Sequence, residues 1–306
     1  MIFSTYNIRF ESRDSKNRST NYSSHNRPPY DSYNVYLMEE SLSRDKLEVR
    51  LRTFRAVDDP ESCNLFLEGH AEVLSSIGVT KVTSSKHEWT RDPAVFVIVV
   101  ESLIGKKIFG GIRVHVAGGL EPLPIEQATG GMDPGIFDLV WKCAHEGTGE
   151  ICGLWNSSEI AGYGIGTTFL IRAAVSICNQ IGIQTLFALC APYTVKSVIC
   201  VGMELESSIG NNGTFYYPKL DLVATTMLLK DIPTLNKAYQ EDRDAIFKIR
   251  EELSLNYVQA LKGKEISIHY ETKIPNLEKW DLQGTINNAT NNFKKGPINE
   301  NDINFF

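Results

Sequence analysis

Long apolar runs are scarce in this sequence of 306 residues. The longest, AVFVIVV at residues 94–100, has the length of a β-strand, whereas a membrane-spanning helix needs about 20 apolar residues. The first 30 residues contain no apolar segment of the kind that a secretory signal requires. We therefore predict a cytoplasmic protein without a membrane span.

Closely paired cysteines are also absent. No two of the six cysteines stand in a CxxC spacing, and most of them lie inside apolar segments. A structural zinc site usually needs such pairs, so we predict no metal. Unpaired thiols in apolar segments are typical of reduced, mostly buried cysteines in a cytoplasmic protein.

The sequence has no excess of basic residues. It contains 37 Asp and Glu against 31 Lys and Arg, a formal charge of −6. Nucleic-acid binding depends on a basic face that neutralises phosphates, so we predict no nucleic-acid partner. With 42% hydrophobic and 22% charged residues, the composition is that of a globular protein with a substantial core.

The composition divides the chain into four segments. Residues 1–34 are rich in Ser, Asn and Arg and predict a loosely ordered arm. Residues 35–230 alternate strand and helix patterns and predict the main domain. Residues 231–275 predict a C-terminal helical addition, within which EISIHYET is predicted as a last strand, and the Asn-rich residues 276–306 predict a flexible tail.

Within the main domain the patterns predict a mixed α/β (α+β) fold. A helix begins with Asp59 as its cap and ends at Gly78. Two apolar runs before and after the turn LIGK predict a β-hairpin, and residues 118–137 predict a long loop. Further strands are predicted at EICGLWN, QTLFALC and DLVATTMLLK, and further helices at TTFLIRAAVSICNQIG and YTVKSVICVG.

Three alternating glycines stand between a predicted strand and a predicted helix. Gly162, Gly164 and Gly166 belong to the stretch AGYGIG, which follows EICGLWN and precedes TTFLIRAAVSICNQIG. The first backbone N–H groups of a helix have no intrahelical partner, and the helix dipole is positive there. Because glycines let an anion approach the backbone closely, the stretch predicts a phosphate-binding turn.

Two common phosphate ligands fit this turn poorly. The P-loop pattern GxxxxGK[ST] is missing, and in a GxGxxG count from Gly162 the third glycine position is Thr167. The next predicted strand ends LFALCAP, without the acidic residue that a dinucleotide fold places there. A nucleotide-dependent enzyme is therefore disfavoured, and the pyrophosphate of coenzyme A is left as the third candidate.

AGYGIGT resembles the coenzyme signature [Q/R]xxGxG[A/G] of the GCN5-related N-acetyltransferase (GNAT) superfamily. Gly164 and Gly166 match, whereas Ala161 replaces the Gln or Arg and Thr167 replaces the small residue. The following IGIQTLFALCAPYTVKSVICVGME resembles the next strand, helix and closing turn of these enzymes, so that the resemblance covers residues 45–230. It implies a mostly antiparallel sheet, splayed at its centre, with helices on both faces.

The same resemblance implies an acyltransferase that moves an acyl group from acyl-CoA, such as acetyl-CoA, to an amine. It also implies which residues contact the coenzyme through their backbone. These residues are Leu154, Asn156, Gly162, Tyr163, Gly164, Ile165, Gly166 and Thr167. Many members carry a tyrosine as general acid four residues before the closing glycine, but that position is Val198 here, so we take the nearby Tyr193 as the candidate acid.

A narrower resemblance points to acyl-homoserine-lactone synthases and N-acyl amino acid synthases. Their GxxRL strand is similar to GGIRVH, with Gly110 and Arg113 in place, and Glu150 lies where their ExSR motif begins. Gly153 replaces the arginine of that second motif. This resemblance implies an alternative function, a synthase that takes its acyl group from an acyl carrier protein.

Acyl transfer to an amine needs a group that takes the proton of the amine. Glu150, at the start of the strand before the glycines, is the candidate base, although a solvated carboxylate at a strand end is the simpler interpretation. Arg113 and His115 are candidates for binding the acceptor, since Arg can hold a carboxylate through two hydrogen bonds. A surface salt bridge and buried packing are their respective alternatives.

Two functions therefore compete with the predicted acyl-CoA-dependent N-acyltransferase. One is the carrier-protein-dependent synthase, and the other is a non-catalytic protein that binds acyl-CoA or another partner on the same fold. The sequence predicts a small-molecule or peptide amine as acceptor but does not identify it.

Overall fold

The structure is a computed structural model that describes residues 46–76, 78–79, 82, 86–103, 107–261 and 264–293. The arm predicted at residues 1–34 and the end of the tail lie outside the described residues. No helix of the described part is long and apolar enough to cross a lipid bilayer.

A ten-stranded mixed sheet forms the centre of the described chain. Its strand order is β6-β8-β5-β4-β3-β2-β1-β10-β9, and β7 pairs with β8. The β1–β10 and β4–β5 pairs are parallel, and the other pairs are antiparallel. The strands are β1 (Lys46–Arg55), β2 (Val95–Glu101), β3 (Ile108–Val116), β4 (Thr148–Asn156), β5 (Thr185–Cys190), β6 (Glu204–Leu205), β7 (Thr214–Tyr216), β8 (Val223–Leu229), β9 (Ser254–Leu261) and β10 (Lys264–Glu271).

Helices cover both faces of this sheet, as the sequence predicts. They are α1 (Pro60–Ser76), α2 (Pro124–Thr129), α3 (Gly135–Ala144), α4 (Leu170–Ile181), α5 (Pro192–Cys200), α6 (Gln240–Glu251) and α7 (Leu282–Phe293). Strand β2 shows why both faces of the sheet must be covered by helices. All of its side chains are buried, and they alternate between two hydrophobic cores, one on each face. Phe96 and Ile98 pack in the core with α4, whereas Val95 and Val97 pack in the core with α1.

The predicted helix, hairpin and strands of the main domain are confirmed with small shifts of their ends. Asp59 caps α1 as predicted, because its Oδ1 accepts a hydrogen bond from the Ser62 backbone N–H at 3.0 Å. The stretch FDLVWKCAHEG, residues 137–147, lies mostly in helix α3. The sheet also contains β1, which the sequence analysis did not predict although Leu47, Val49 and Leu51 alternate with polar residues.

The predicted loop at residues 118–137 is wrong in part. Helix α2 and the start of α3 lie within it. Pro124 occupies the first position of α2, and the Leu123 N–H donates to the Glu126 carboxylate at 2.7 Å. Part of the segment predicted as a loop is therefore a short helix with a capped N-terminus.

The C-terminal segments also differ from the prediction. Residues 254–261 form strand β9 rather than helix, and β9 pairs with β10, which adds to β1 in parallel. The addition predicted as helical therefore consists of helix α6 and a hairpin that extends the sheet. Part of the predicted flexible tail forms α7, where Thr285 is buried and the Trp280 ring, just before the helix, packs edge-on against Phe96 at 5.1 Å.

The parallel pair at the centre of the sheet is short. Strand β4 pairs with β5 only from Thr148↔Thr185 to Ile151↔Ala188, although both strands continue further. Gly153 follows directly with a φ of +60°, and the β3–β4 register shifts between Gly111 and Arg113. These irregularities turn β4 away from β5. The predicted splay at the centre of the sheet therefore lies beyond Ile151.

Candidate functional site

The glycine turn leads from the splayed end of β4 into helix α4. Gly162 and Gly164 have φ values of +86° and +76°, in the left-handed region that favours glycine. Residues Ile165–Phe169 then form a single π-helical turn before α4 begins. The turn therefore presents the N–H groups at the start of the helix. Because its glycines carry no side chains, a ligand has room to approach the backbone there.

A groove of about 590 Å³ begins at this turn. Thr167 and Thr168 line its start, and Lys196 and Ser197 of α5 line one wall. The opposite wall contains Arg172, whose guanidinium donates to Asp242 of α6 at 2.8 Å and lies 3.4 Å from Glu241. Two cationic side chains line the groove. Arg172 forms ion pairs with two carboxylates, whereas Lys196 forms none with the described residues.

A second cation reaches the glycine turn from the C-terminal hairpin. The Lys264 ammonium lies 4.5 Å from the centre of the Tyr163 ring and 3.8 Å from the position of a Cβ on Gly162. Sequence analysis missed Lys264 because it lies about 100 residues after the turn. Glu159, a nearby carboxylate that would repel an anion, is paired with Lys107 at 2.7 Å.

The candidate acid Tyr193 lies in this groove. It is the second residue of α5, its side chain is 42% exposed, and it lines the groove with Thr167 and Thr168. Val198, which stands where related enzymes carry a tyrosine, is completely buried in the core. A phenol at the start of α5 is therefore placed to contact a ligand of the groove, whereas position 198 is not.

Glu150 is completely buried, not a solvated residue at the end of a strand. Its Oε2 accepts a hydrogen bond from the Ile125 backbone N–H of α2 at 2.6 Å. Its Oε1 has no hydrogen-bond partner in the described part of the chain. Burial raises the pKa of Glu150 from 4.5 to about 7, although the hydrogen bond from Ile125 and the charge of Arg113 act in the opposite direction.

Arg113 is also completely buried, so the alternative of a surface salt bridge is excluded. Its guanidinium stacks 4.1 Å from the centre of the Trp89 ring and 5.3 Å from that of Phe66. A Cβ on Gly153 would lie 2.8 Å from Nη2 of Arg113. Because position 153 carries no side chain, the Arg113 guanidinium has room to lie against the backbone there.

His115 lies on the same face of β3 as Arg113 and directly opposite Glu150 on β4. Burial, and then the charge of Arg113, lower the pKa of His115 well below 6.5, so its imidazole is neutral at pH 7. Its Nε2 has no hydrogen-bond partner among the described residues. Both His115 and Arg113 line a small pocket that opens beside Lys86 and Glu121.

The candidate residues therefore form two separate groups. Among the coenzyme candidates, Thr167 lines the groove with Tyr193, and residues 162–166 lead up to it in the turn, whereas Leu154 and Asn156 lie in the part of β4 that no longer pairs with β5. Glu150, His115 and Arg113 form the second group, on the face of the sheet that α1 and α2 cover. The described structure places Tyr193 in a different pocket from Arg113 and His115, so one pocket does not join all candidates.

No group of three or more His, Cys, Asp or Glu side chains in the described part of the chain is arranged to hold a metal ion.

No protein-family model matches the chain, and no curated protein matches it. Among solved structures it is similar to FeeM, an N-acyl amino acid synthase from uncultured soil microbes, with 12% identity over 62% of this chain and 99% of that chain and a TM-score of 0.47. It is similar to the CoA-dependent acyl-homoserine lactone synthase BjaI, with 11% identity over 66% and 90% of the two chains and a TM-score of 0.42. It is also similar to spermidine N-acetyltransferase from Vibrio cholerae, with 15% identity over 62% and 98% and a TM-score of 0.37. The solved structures that this chain resembles thus include acyltransferases of the superfamily that its glycine motif resembles.

Proposed function

We propose that this protein is an N-acyltransferase that moves an acyl group from acyl-CoA to an amine by direct attack. The observation that carries the proposal is the joint position of the splay and the glycine turn. Strand β4 leaves β5 after Ile151, and the same strand leads to the left-handed glycines at the start of α4. A long ligand with a phosphate in its middle fits such a path.

In this proposal the pyrophosphate of the coenzyme lies on the N–H groups of the glycine turn. Lys264 supplies a positive charge at Gly162, where Ala161 provides no Gln or Arg side chain. The distal part of the coenzyme lies in the groove beside Thr167 and Lys196. The pantetheine arm follows the unpaired edge of β4 at Leu154 and Asn156 toward the centre of the sheet.

The chemistry needs one proton acceptor and little else from the protein. The nitrogen of the amine attacks the thioester carbon, a new C–N bond forms, and the C–S bond breaks as the thiolate leaves. Glu150 takes the proton that the nitrogen loses, and its raised pKa of about 7 suits a general base near neutral pH. Tyr193 lines the groove beside the distal part of the coenzyme, so in this arrangement it contributes to binding and water supplies the proton to the leaving thiolate.

The acceptor end of the proposed site is built from the second group of residues. Arg113 is the buried cation for an acidic group of the acceptor, and His115 forms part of the wall. The donor alternatives are acyl-CoA and an acyl carrier protein, which share the thioester and the phosphopantetheine arm but not the nucleotide.

Thermal stability in the presence of separate ligands tests the proposal first. CoA, acetyl-CoA, long-chain acyl-CoA, NAD and ATP are added in turn, and a ligand at 100 times its dissociation constant should stabilise the protein by about 2.7 kcal/mol. We expect a shift with the CoA species alone. A shift with NAD or ATP alone would instead indicate a nucleotide-dependent enzyme.

Two variants make this test specific for the glycine turn. Gly164→Glu places a negative side chain on a left-handed residue of the turn and should remove the CoA shift. Gly78→Glu is the matched control, because Gly78 also has a positive φ, +69°, and a Cβ there would meet only Nζ of Lys219 at 3.9 Å, but it lies after α1, away from the turn. Incubation of wild type with acetyl-CoA and a panel of amines, read by mass spectrometry, then tests for acyl transfer. Binding of CoA without any acylated amine would favour the non-catalytic function.

A further inference from the structure

A completely buried base raises a question about its proton. Glu150 has no exposed surface, and its Oε2 is held by the Ile125 N–H. A carboxylate that takes a proton from a substrate must lose that proton before it can act again. The proton therefore needs a path from Oε1 of Glu150 to solvent.

His115 is placed to form this path. It stands directly opposite Glu150 in the antiparallel pair of β3 and β4, where facing Cβ atoms lie about 4.5–5.5 Å apart. Oε1 of Glu150 and Nε2 of His115 are both buried polar atoms without a hydrogen-bond partner in the described residues. Buried polar atoms are nearly always satisfied, so two neighbouring exceptions point to a shared transient partner.

His115 also lines a pocket. The pocket has a volume of about 20 Å³, whereas a single water needs about 10–15 Å³ measured in this way. It opens beside exposed groups of the loop before α2. The charged groups that face His115 from the surrounding elements are Lys86, Glu88, Asp92, Arg113, Glu121 and Glu150.

We propose that His115 is a proton relay between Glu150 and the pocket. The neutral imidazole accepts the proton of Glu150 on one ring nitrogen and releases the proton of its other ring nitrogen to water in the pocket. One proton leaves for each one that enters, and the imidazole regains its first tautomer by exchange with water. The role of this relay in turnover rests on the proposed function, but the proton path itself does not.

The test measures the protonation of Glu150 directly and needs neither coenzyme nor acceptor. After a rapid pH jump across pH 7, infrared spectroscopy follows the C=O band of protonated carboxyl groups. Glu150→Gln identifies the component that belongs to Glu150. Glu126→Gln identifies a second component, because burial also raises the pKa of Glu126 to about 7.

His115→Asn should slow the Glu150 component about ten-fold or more, since positioned proton-transfer groups contribute at least that much. The Glu126 component should keep its rate, because Glu126 is only half-buried and reaches solvent by itself. His269→Asn is the matched control, since His269 pairs with Glu48 on β1, away from this group. Added imidazole should restore the rate in His115→Ala, whose smaller side chain leaves room for it.

An unchanged Glu150 rate in His115→Asn would overturn the relay, and so would an equal slowing of both components, which would indicate a general structural change. His115→Gln gives the same comparison where the Asn variant does not fold. Failure of the CoA tests above with a slowed Glu150 component would reject the proposed function and leave the proton path standing.

Discussion

The glycine turn and the buried group around Glu150 differ in the kind of atoms that would act in each and in what determines their properties. At the turn the functional atoms are backbone N–H groups, and the side chains there range from buried (Tyr163 and Ile165) to half-buried (Thr167). In the buried group the functional atoms are side-chain atoms, and their properties come from burial and mutual charge. A site of the first kind depends on backbone shape, whereas a site of the second kind depends on what surrounds it.

The largest expected effect comes from removing the base of the buried group. Glu150→Gln keeps an acceptor for the Ile125 N–H but cannot take a proton. We expect kcat/KM for acyl transfer to fall about 100- to 10,000-fold, the range for loss of a general base, with CoA binding unchanged. Steady-state kinetics together with calorimetric CoA titration separate the two effects. A loss of less than about ten-fold would assign the proton transfer to another group.

Gly153→Ala should have the next largest effect, on stability. The residue has a φ of +60°, and an added Cβ would lie 2.8 Å from the Arg113 guanidinium. Backbone strain and overpacking of this kind together cost about 2–5 kcal/mol in the free energy of unfolding, as measured by denaturant titration.

Gly162→Ala is the matched control for this change. Its φ is +86°, but the residue is exposed and the nearest atom beyond its chain neighbours, Nζ of Lys264, lies 3.8 Å from the added Cβ. Gly162→Ala should lower the free energy of unfolding only by the cost of backbone strain, about 1 kcal/mol. Equal losses at the two glycines would show that the Arg113 contact is not tight, and would weaken the contrast between the two regions.

Glu150→Gln also predicts a gain of stability that depends on pH. The pKa of Glu150 is raised from 4.5 to about 7 in the folded state, so the folded protein binds more protons than the unfolded chain between these values. The contribution of Glu150 to stability is therefore full below pH 4.5 and is lost as the pH rises to about 7. Removing the ionisable group should stabilise the protein relative to wild type by about 3 kcal/mol at pH 8 and by little at pH 4.5.

Unfolding titrations at these two pH values check this expectation, with Glu204→Gln on the exposed strand β6 as a control. The same difference at both pH values would mean that Glu150 is not kept neutral by its surroundings. Loss of turnover and gain of stability in one variant is the pattern expected of a functional group held in an unfavourable environment.

The difference between the two regions also explains what the sequence could predict. The glycine turn follows from a local pattern, since three glycines before a helix start indicate a backbone feature within six residues. The helices and strands with clear apolar periods, such as α4 and β5, follow in the same way. The end of the chain was harder, because residues 254–261 contain only short alternations that become a strand by pairing with β10.

The state of Glu150 and Arg113 could not be predicted from local patterns. Both residues are charged types that are seldom fully buried, so a solvated position was the simpler expectation. Their burial depends on contacts with helices that a local pattern does not reveal: α1 ends 37 residues before Arg113, and α2 ends 21 residues before Glu150. Lys264 was missed for the same reason, since the hairpin that carries it reaches the glycine turn only through the pairing of β10 with β1.

The smallest expected effect concerns Lys264 and returns to the exposed region. A single cation near a phosphate at a partly exposed site contributes about 1 kcal/mol, so Lys264→Ala should weaken CoA binding about five-fold. The effect should shrink at high salt, because screening reduces an exposed charge interaction. Lys230→Ala is the control, since Lys230 lies away from the turn and pairs with Glu206 at 3.5 Å. Equal affinity in both variants would leave the glycine turn to hold the phosphate through its backbone alone, which would sharpen the contrast with the side-chain chemistry around Glu150.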